Sequence, residues 1–211
     1  MPTRLFYDGA KMRTAKLNPQ ALIIAEIDFT APSPQVARQL IGITLLIDGV
    51  GGRIVETEAY DVGEGACHAF PGLNERNATL FGPPGHAYVY RSYGIHWCLN
   101  FVCRETGHAA GVLIRALEPT HRLDRMSERR GIHDPRLLCA GPGRMGQALG
   151  IDRSYDGMRL DVAPFSLLGV PHDRPLPTVV EGPRIGITKA TSLPWRFGER
   201  GSRFLSRQFA Q

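Results

Sequence analysis

Asp48-Gly49 stands between two runs of strand-like residues, Ile43–Ile47 and Arg53–Tyr60, and this arrangement constrains the fold more than any other feature of the chain. An Asp-Gly pair readily supplies the two left-handed residues of a tight hairpin turn, so the runs are read as antiparallel neighbours. Along the second run, Arg53-Ile-Val-Glu-Thr-Glu58-Ala-Tyr60, successive side chains alternate between faces. Val55, Thr57 and Ala59 point one way; Glu56, Glu58 and Tyr60 point the other. An acid-rich strand face is usually a solvated one. A carboxylate two residues from an aromatic, with His68 following eight residues later, is also what a site needs to hold a planar ring and activate a water beside it.

The remaining segments suggest an α+β chain. Residues 1–27 have mixed polarity and no firm periodicity, and are read as an arm preceding a single domain over 28–211. Ser33-Pro34 offers an N-cap followed by proline at the first helical position, opening a helix through Ile41. Asp61 to Pro84 is rich in Gly, Pro and Asn; a loop of that length in a compact domain is usually functional or disordered. Tyr88–Arg91 and His96–Cys103 are expected as strands joined at Tyr93-Gly94, with Val112–Leu117 as another. Helices are expected over Pro119–Arg130 and Pro142–Leu149, the second ended by Gly150, and Leu160–Leu168 and Arg184–Ile187 as returns to the sheet. Hairpin strands first and helices later indicate an antiparallel sheet with flanking helices.

Composition narrows the partner. The chain has 211 residues, net charge +5 and 25 basic residues. Only Lys11, Lys16 and Lys189 are lysines, leaving 22 arginines. Arginine presents a planar fork of donors suited to phosphate, and an Arg-rich basic domain fits a nucleic acid; base composition of the genome is the competing explanation. No apolar run approaches the ~20 residues that span a bilayer, and the N-terminus lacks a secretory core. An intracellular location is expected, cytoplasmic or nucleoid in a bacterium. Cys67, Cys98, Cys103 and Cys139 form no C-x-x-C pair, so reduced thiols are expected and no metal or other cofactor.

A second segment, Gly85-His-Ala-Tyr88-Val-Tyr90-Arg-Ser-Tyr93-Gly-Ile95-His96-Trp-Cys-Leu-Asn100-Phe, joins the first in a wider pattern, continued by Gly111-Val-Leu-Ile-Arg115-Ala-Leu-Glu-Pro119 and Leu138-Cys-Ala-Gly-Pro-Gly143. Together these resemble the alkyladenine (3-methyladenine, methylpurine) DNA glycosylase family. The resemblance runs from about Val36 to Asp161, with a weaker echo at Pro194-Trp195. Arg91-Ser92 and His96-Trp97 depart from it at variable places, and nothing functional is carried into the arm or the tail after Gly182.

The resemblance implies a monofunctional hydrolase, expected as a monomer, that flips an alkylated or deaminated purine out of double-stranded DNA and hydrolyses its N-glycosidic bond. Glu58 would deprotonate the attacking water, as in carboxylate-assisted glycoside hydrolysis. Glu56, on the same face, is better read as an ion-pair partner. Tyr60, His68, Tyr90 and Asn100 would form the base pocket. Tyr93 would fill the vacated stack with Ile95 beside it, since wedges on such turns enter base steps from the minor groove. Arg115 would stand near the active site and phosphate, and Arg76, Arg91 and Arg144 are candidate phosphate contacts. Each has a plainer alternative: an exposed turn tyrosine, a loop histidine, a structural asparagine, a solvated arginine. Gly141-Pro-Gly143 could offer amides to a phosphate or be only a turn.

Other classes fit less well. A non-catalytic binder of distorted DNA would keep the Tyr93 wedge but has no use for Glu58 in its motif. A zinc deaminase needs H-x-E with P-C-x-x-C, and a serine hydrolase needs G-x-S-x-G; both are absent. Met1-Pro2 invites comparison with glycosylases that use an N-terminal proline amine, but Thr3 stands where those have an acid.

Overall fold

Turn chemistry sets the first hairpin. β1 (Thr44–Ile47) and β2 (Val50–Asp61) pair antiparallel with Ile47 opposite Val50. Asp48 and Gly49 between them have φ of 50° and 74°, the left-handed pair that matches strand twist. The computed structural model describes residues 27–171 and 174–210. The expected arm over 1–27 lies outside the described residues except for Ile27, which is buried in the core.

β2 is the spine of an eight-stranded antiparallel sheet. On one side it pairs along its length with β5 (Ala110–His121), followed by β4 (His96–Val102) and then β3 (Ala87–Ser92) at the edge. Its other side is divided. The first residues pair with β1, itself paired to β6 (Phe165–Leu168), while Glu56–Glu58 pair with β8 (Arg196–Glu199), which carries β7 (Val179–Gly182). One strand serving two different neighbours along a single side makes the sheet curl.

Among the described residues four α-helices pack around it: α1 (Ser33–Gln39), α2 (Leu123–Arg130), α3 (Pro135–Leu138) and α4 (Pro142–Leu149). α1 lies on β2 and β5, and the Thr57 hydroxyl donates to the Ala37 carbonyl at 2.9 Å. α4 lies on β4, where glycine is required: a Cβ on Gly146 would run into the Trp97 carbonyl. Val36, Leu40, Leu45, Ile54, Phe101, Ile114 and Leu117 are fully buried between these layers, each worth about 1.5–3 kcal/mol of transfer free energy. The architecture is α+β in one domain, a curved antiparallel sheet with flanking helices.

Several boundaries differ from the sequence expectation. The N-cap of α1 is Pro32, not Ser33; Ser33 is buried and its hydroxyl donates to the Tyr60 carbonyl at 2.9 Å. Pro119 does not open a helix. β5 runs through His121, with Pro119 opposite Gly52, and the chain enters α2 only after Arg122, at φ 55°. Proline is tolerated there because it lies near the end of the ladder. Arg184–Ile187 is not a strand; the sheet is rejoined by β7 and β8 instead. α3 had no counterpart in the expectation. α4 and its Gly150 terminus, at φ 72°, match it.

The face assignment on β2 also needs correction. Register shifts occur between Ile54 and Glu56 and between Glu56 and Thr57, so Val55 is skipped on β2 and Arg115 on β5. Val55 therefore does not share a face with Ala59. It packs with Ala116, Phe204 and Leu205, while Ile54 and Ala59 join the main core. Paired bulges of this kind re-aim side chains, and here the re-aimed one is Arg115.

Candidate active site

One cross-strand row builds most of the site. Tyr88 on β3 is opposite Asn100 on β4, Asn100 opposite Leu113 on β5, and Leu113 opposite Glu58 on β2. Directly opposed residues share a face, so these side chains lie side by side across four strands. Tyr60 and Gly111, two residues on, are opposed in the same way. A cavity of about 700 Å3 opens over this face, with Tyr60, His68, Tyr88, Tyr90, Asn100 and Arg115 on its walls.

The long loop closes one side. Asn77 is buried and organises it: its amide nitrogen donates to the carbonyls of His68 (3.0 Å) and Gly72 (2.9 Å), and its oxygen accepts from Asn74 N (2.8 Å). That fixes His68, whose Nδ1 lies 3.3 Å from the Tyr88 hydroxyl and whose ring meets Tyr90 edge-on at 4.3 Å. Much of the His68 surface stays open to solvent; partial desolvation of the ring, then the charge of Arg76, lowers its pKa and favours neutral imidazole. Burial pushes the Tyr88 phenol up to about 12 and the Tyr60 phenol higher still, with the Glu58 charge adding to the latter. Both stay protonated donors.

Glu58 is fully buried and accepts three hydrogen bonds. The Tyr60 hydroxyl (2.7 Å) and Arg115 Nη1 (3.1 Å) donate to Oε2, and the Ile185 amide (2.7 Å) to Oε1. Desolvation pushes its carboxyl above the usual range; Arg115, the Ile185 amide and the Tyr60 hydroxyl all act against that rise. The carboxylate contributes no surface to the cavity. It stands one layer behind the wall formed by Tyr60, Arg115 and Ile185.

Glu56 is more heavily engaged. Its Oε1 accepts from Arg115 Nε (3.2 Å), Arg196 Nε (2.7 Å) and the Ser206 hydroxyl (2.8 Å), and its Oε2 accepts from Ser206 N (2.5 Å). Burial disfavours the Arg115 charge, but the two carboxylates outweigh it and hold its pKa above the ordinary value. Glu56 thus aims Arg115, and Arg115 reaches Glu58.

The other sequence candidates separate. Arg76 lines the cavity, 5.9 Å from the Tyr90 ring centroid, and donates to the Arg91 carbonyl. Arg91 and Arg144 are exposed and away from it; Arg91 lies over the Trp97 ring. Tyr93, at φ 50° beside Gly94, and Ile95 project from the β3–β4 turn with 87% and 66% of their surface exposed. His96 is absent from the cavity wall and lies against Gly143.

Sequence reasoning missed Tyr88, although the alternation that pairs Glu58 with Tyr60 also pairs Tyr88 with Tyr90. It assigned nothing to the tail after Gly182, which supplies Ile185, Arg196 and Ser206 to the two carboxylates. No lysine lies within the motif segments, yet the fold brings Lys189 to the cavity wall.

Comparison with known proteins decides the family. The family model described as methylpurine-DNA glycosylase (MPG) matches residues 27–203. The chain belongs to the methylpurine-DNA glycosylase family. Among its relatives, a protein of Nitrosospira multiformis is 64% identical over 185 residues, covering 88% of this chain and 94% of the relative. One from Rhodopseudomonas palustris strain BisB18 is 57% identical (84% and 87% covered), and one from Rhizobium meliloti strain 1021 is 52% identical (89% and 98% covered). Each carries the name "Putative 3-methyladenine DNA glycosylase". The family match takes in most of the tail through Arg203, including Ile185 and Arg196, beyond the motifs legible in the sequence. No helix among the described residues is long and apolar enough to cross a membrane.

Proposed function

We propose that this DNA glycosylase excises alkylated purines, 3-methyladenine among them, from double-stranded DNA by base flipping and water attack, acting inside the cell as a monomer without cutting the strand. The observation that carries this reading is a buried Glu58 held by three donors directly behind an aromatic cavity.

The target nucleotide leaves the stack at a cost of a few kcal/mol. Stacking returns about 1–3 kcal/mol per base, so Tyr60, His68 and Tyr90 hold the extruded purine while Tyr93 fills the gap. Asn100 rejects the exocyclic amino group of normal guanine, as the family resemblance implies. Glu58 takes a proton from water as the water oxygen bonds to C1′ and the C1′–N bond breaks. The bonding electrons leave with the base, and an abasic site remains. Because its carboxylate lies behind the wall, one donor must yield for the water to reach it. The Tyr60 hydroxyl can rotate its proton away without moving the backbone, and unlike Arg115 it holds no second carboxylate.

An N-alkylated purine is cationic and leaves as a neutral base. A deaminated purine is neutral and gains from a proton on departure, yet among the described residues no Asp or Glu lies on the cavity wall. Release of alkylated purines is therefore expected to outpace that of hypoxanthine, which remains within the proposed range. Lys189 is exposed at the wall and lies outside the motif segments, and strand nicking needs an amine that attacks C1′ to form a Schiff base, so hydrolysis without strand nicking is expected.

A release assay on duplexes bearing one lesion each, run with and without borohydride, tests the proposal. Methylated purine should be released and no protein–DNA adduct trapped. Tight lesion binding with no release favours a non-catalytic binder, the reading to which the covered Glu58 lends some weight. A trapped adduct points to Lys189.

A further inference from the structure

Residues 183–190 cross the cavity wall between β7 and β8 without belonging to a strand, so no ladder fixes the Ile185 amide on Glu58. The neighbouring residue supplies what the ladder does not. The Arg184 side chain is fully buried and forked onto Glu64, Nη1 to Oε1 at 2.6 Å and Nη2 to Oε2 at 2.9 Å. Nη1 also donates to the Ala59 carbonyl (2.9 Å) and Nη2 to the Ala190 carbonyl (3.3 Å). The guanidinium lies 4.6 Å from the centroid of Tyr60 and 5.5 Å from that of Trp195. Glu64, in turn, accepts from the Ala66 amide at 2.8 Å, and Ala66 lines the cavity.

One ion pair therefore ties the crossing segment, the start of the long loop and the β2 strand that carries Glu58. Taking two charges out of water is costly, and the pair is retained where an anchored Arg184 Cα aims the next amide at Oε1. We propose that Arg184 and Glu64 are positioning residues that hold the Ile185 amide on Glu58 and the Tyr60 ring against the cavity. This rests on the reading of Glu58 as the base.

The pH profile reads the amide directly. The charged and titratable groups facing Glu58 are Glu56 and Tyr60 on β2, Arg115 on β5 and Tyr90 on β3, with Arg184 behind Tyr60 and Arg196 beyond Glu56. Only ionised Glu58 accepts a proton from water, so activity falls as pH drops through its pKa. A donated amide favours the ionised form; losing it moves that acidic limb to higher pH.

The experiment measures single-turnover rate against pH on methylated duplex, whose N-methylpurines are already cationic, together with Tm and binding to abasic-site DNA. Arg184→Ala should move the acidic limb up by about one pH unit, the size of one lost hydrogen bond to a charged group, and lower the plateau. Glu64→Gln should move it the same way by less, and Arg184→Lys should recover part of both changes. Abasic-site binding should stay within about threefold, because phosphate contacts set it. A lowered Tm with the limb unmoved in all three variants overturns the proposal and leaves the pair purely structural. A faster Arg184→Ala overturns it too, since the amide would then shield Glu58. If Arg184→Ala does not fold, Glu64→Gln and Arg184→Lys carry the same comparison. Glu58→Gln separates the two failures: undiminished turnover removes the base and this proposal with it, whereas a dead Glu58→Gln beside unmoved limbs removes this proposal alone.

Discussion

The turn between β3 and β4 and the carboxylate layer under β2 are built on opposite principles. At the turn, Tyr93 and Ile95 stand largely in solvent, Tyr93 at the rim of the cavity. Under β2, Glu56 and Glu58 have no exposed surface, and together accept seven hydrogen bonds from Tyr60, Arg115, Ile185, Arg196 and Ser206. A proton acceptor requires one geometry and a tuned charge, which a dry interior supplies. A wedge requires only apolar area aimed outward, and its gain comes when a partner covers it. Stability and chemistry should therefore be coupled in the carboxylate layer and uncoupled at the turn.

Glu58→Gln gives the largest effect on chemistry. The amide keeps the size of the side chain but cannot take a proton, and general-base contributions run to about 10²–10⁴ in rate. We expect single-turnover release to fall by at least about a hundredfold, with binding to abasic-site DNA nearly unchanged. Near-normal turnover of methylated DNA by the variant removes Glu58 from the mechanism.

Arg115→Ala tests the coupling. It leaves two buried carboxylates short of their shared cation, and breaking a buried ion pair costs about 3–5 kcal/mol. A large loss in denaturant midpoint is expected, together with a Glu58 pKa raised further and residual activity displaced to higher pH. If activity collapses while stability holds, the layer does not act as one unit.

The two regions also differed in how far the sequence revealed them. The turn was legible because its signal is local: Tyr93-Gly94 between two alternating runs names the residues that project. So was Glu58 with Tyr60, two residues apart on one strand. The surroundings of Glu58 were not. Arg115 is aimed there by compensating bulges that skip Val55 on β2 and Arg115 itself on β5, and a bulge in each strand leaves no mark on composition. The backbone amide of Ile185 reaches Glu58 from 127 positions away, and that of Ser206 reaches the neighbouring Glu56 from 150 positions away. An amide has no side-chain signature, so no motif encodes it. In the same way, the expected strand at Arg184–Ile187 was read from its apolar residues, while its role in the fold follows from Arg184 reaching Glu64.

Tyr93→Ala should act on flipping alone. Loss of stacking worth about 1–3 kcal/mol lowers the flipped fraction by roughly one to two decades, while Tm stays put because the side chain is mostly in solvent. A lesion in a bulge has little gap to fill, so the deficit should shrink there. Equal deficits on paired and bulged substrates would transfer the wedge to Ile95 or to the loop near Arg76. No deficit on either would make the turn structural.

The smallest effects are expected from Arg91 and Arg144, and they mark how far the turn's solvent-facing logic extends over the surface. Neither lines the cavity and both are exposed, so neither can change the chemistry except through the DNA. A phosphate contact releases counterions, and each one removed lowers the slope of log affinity against log salt by about 0.9. Arg91→Ala and Arg144→Ala should weaken binding only a few-fold at moderate salt, equally for damaged and undamaged duplex, with single-turnover rates at saturation unchanged. Arg76, which does line the cavity, should differ: Arg76→Ala is expected to weaken lesion binding more than undamaged binding. If Arg91→Ala or Arg144→Ala leaves the salt slope where it was, that arginine is plain surface, and the DNA path runs off the turn in another direction. If either lowers the saturating rate, then DNA placement and chemistry are linked across the surface, and the separation between turn and interior fails at its weakest point.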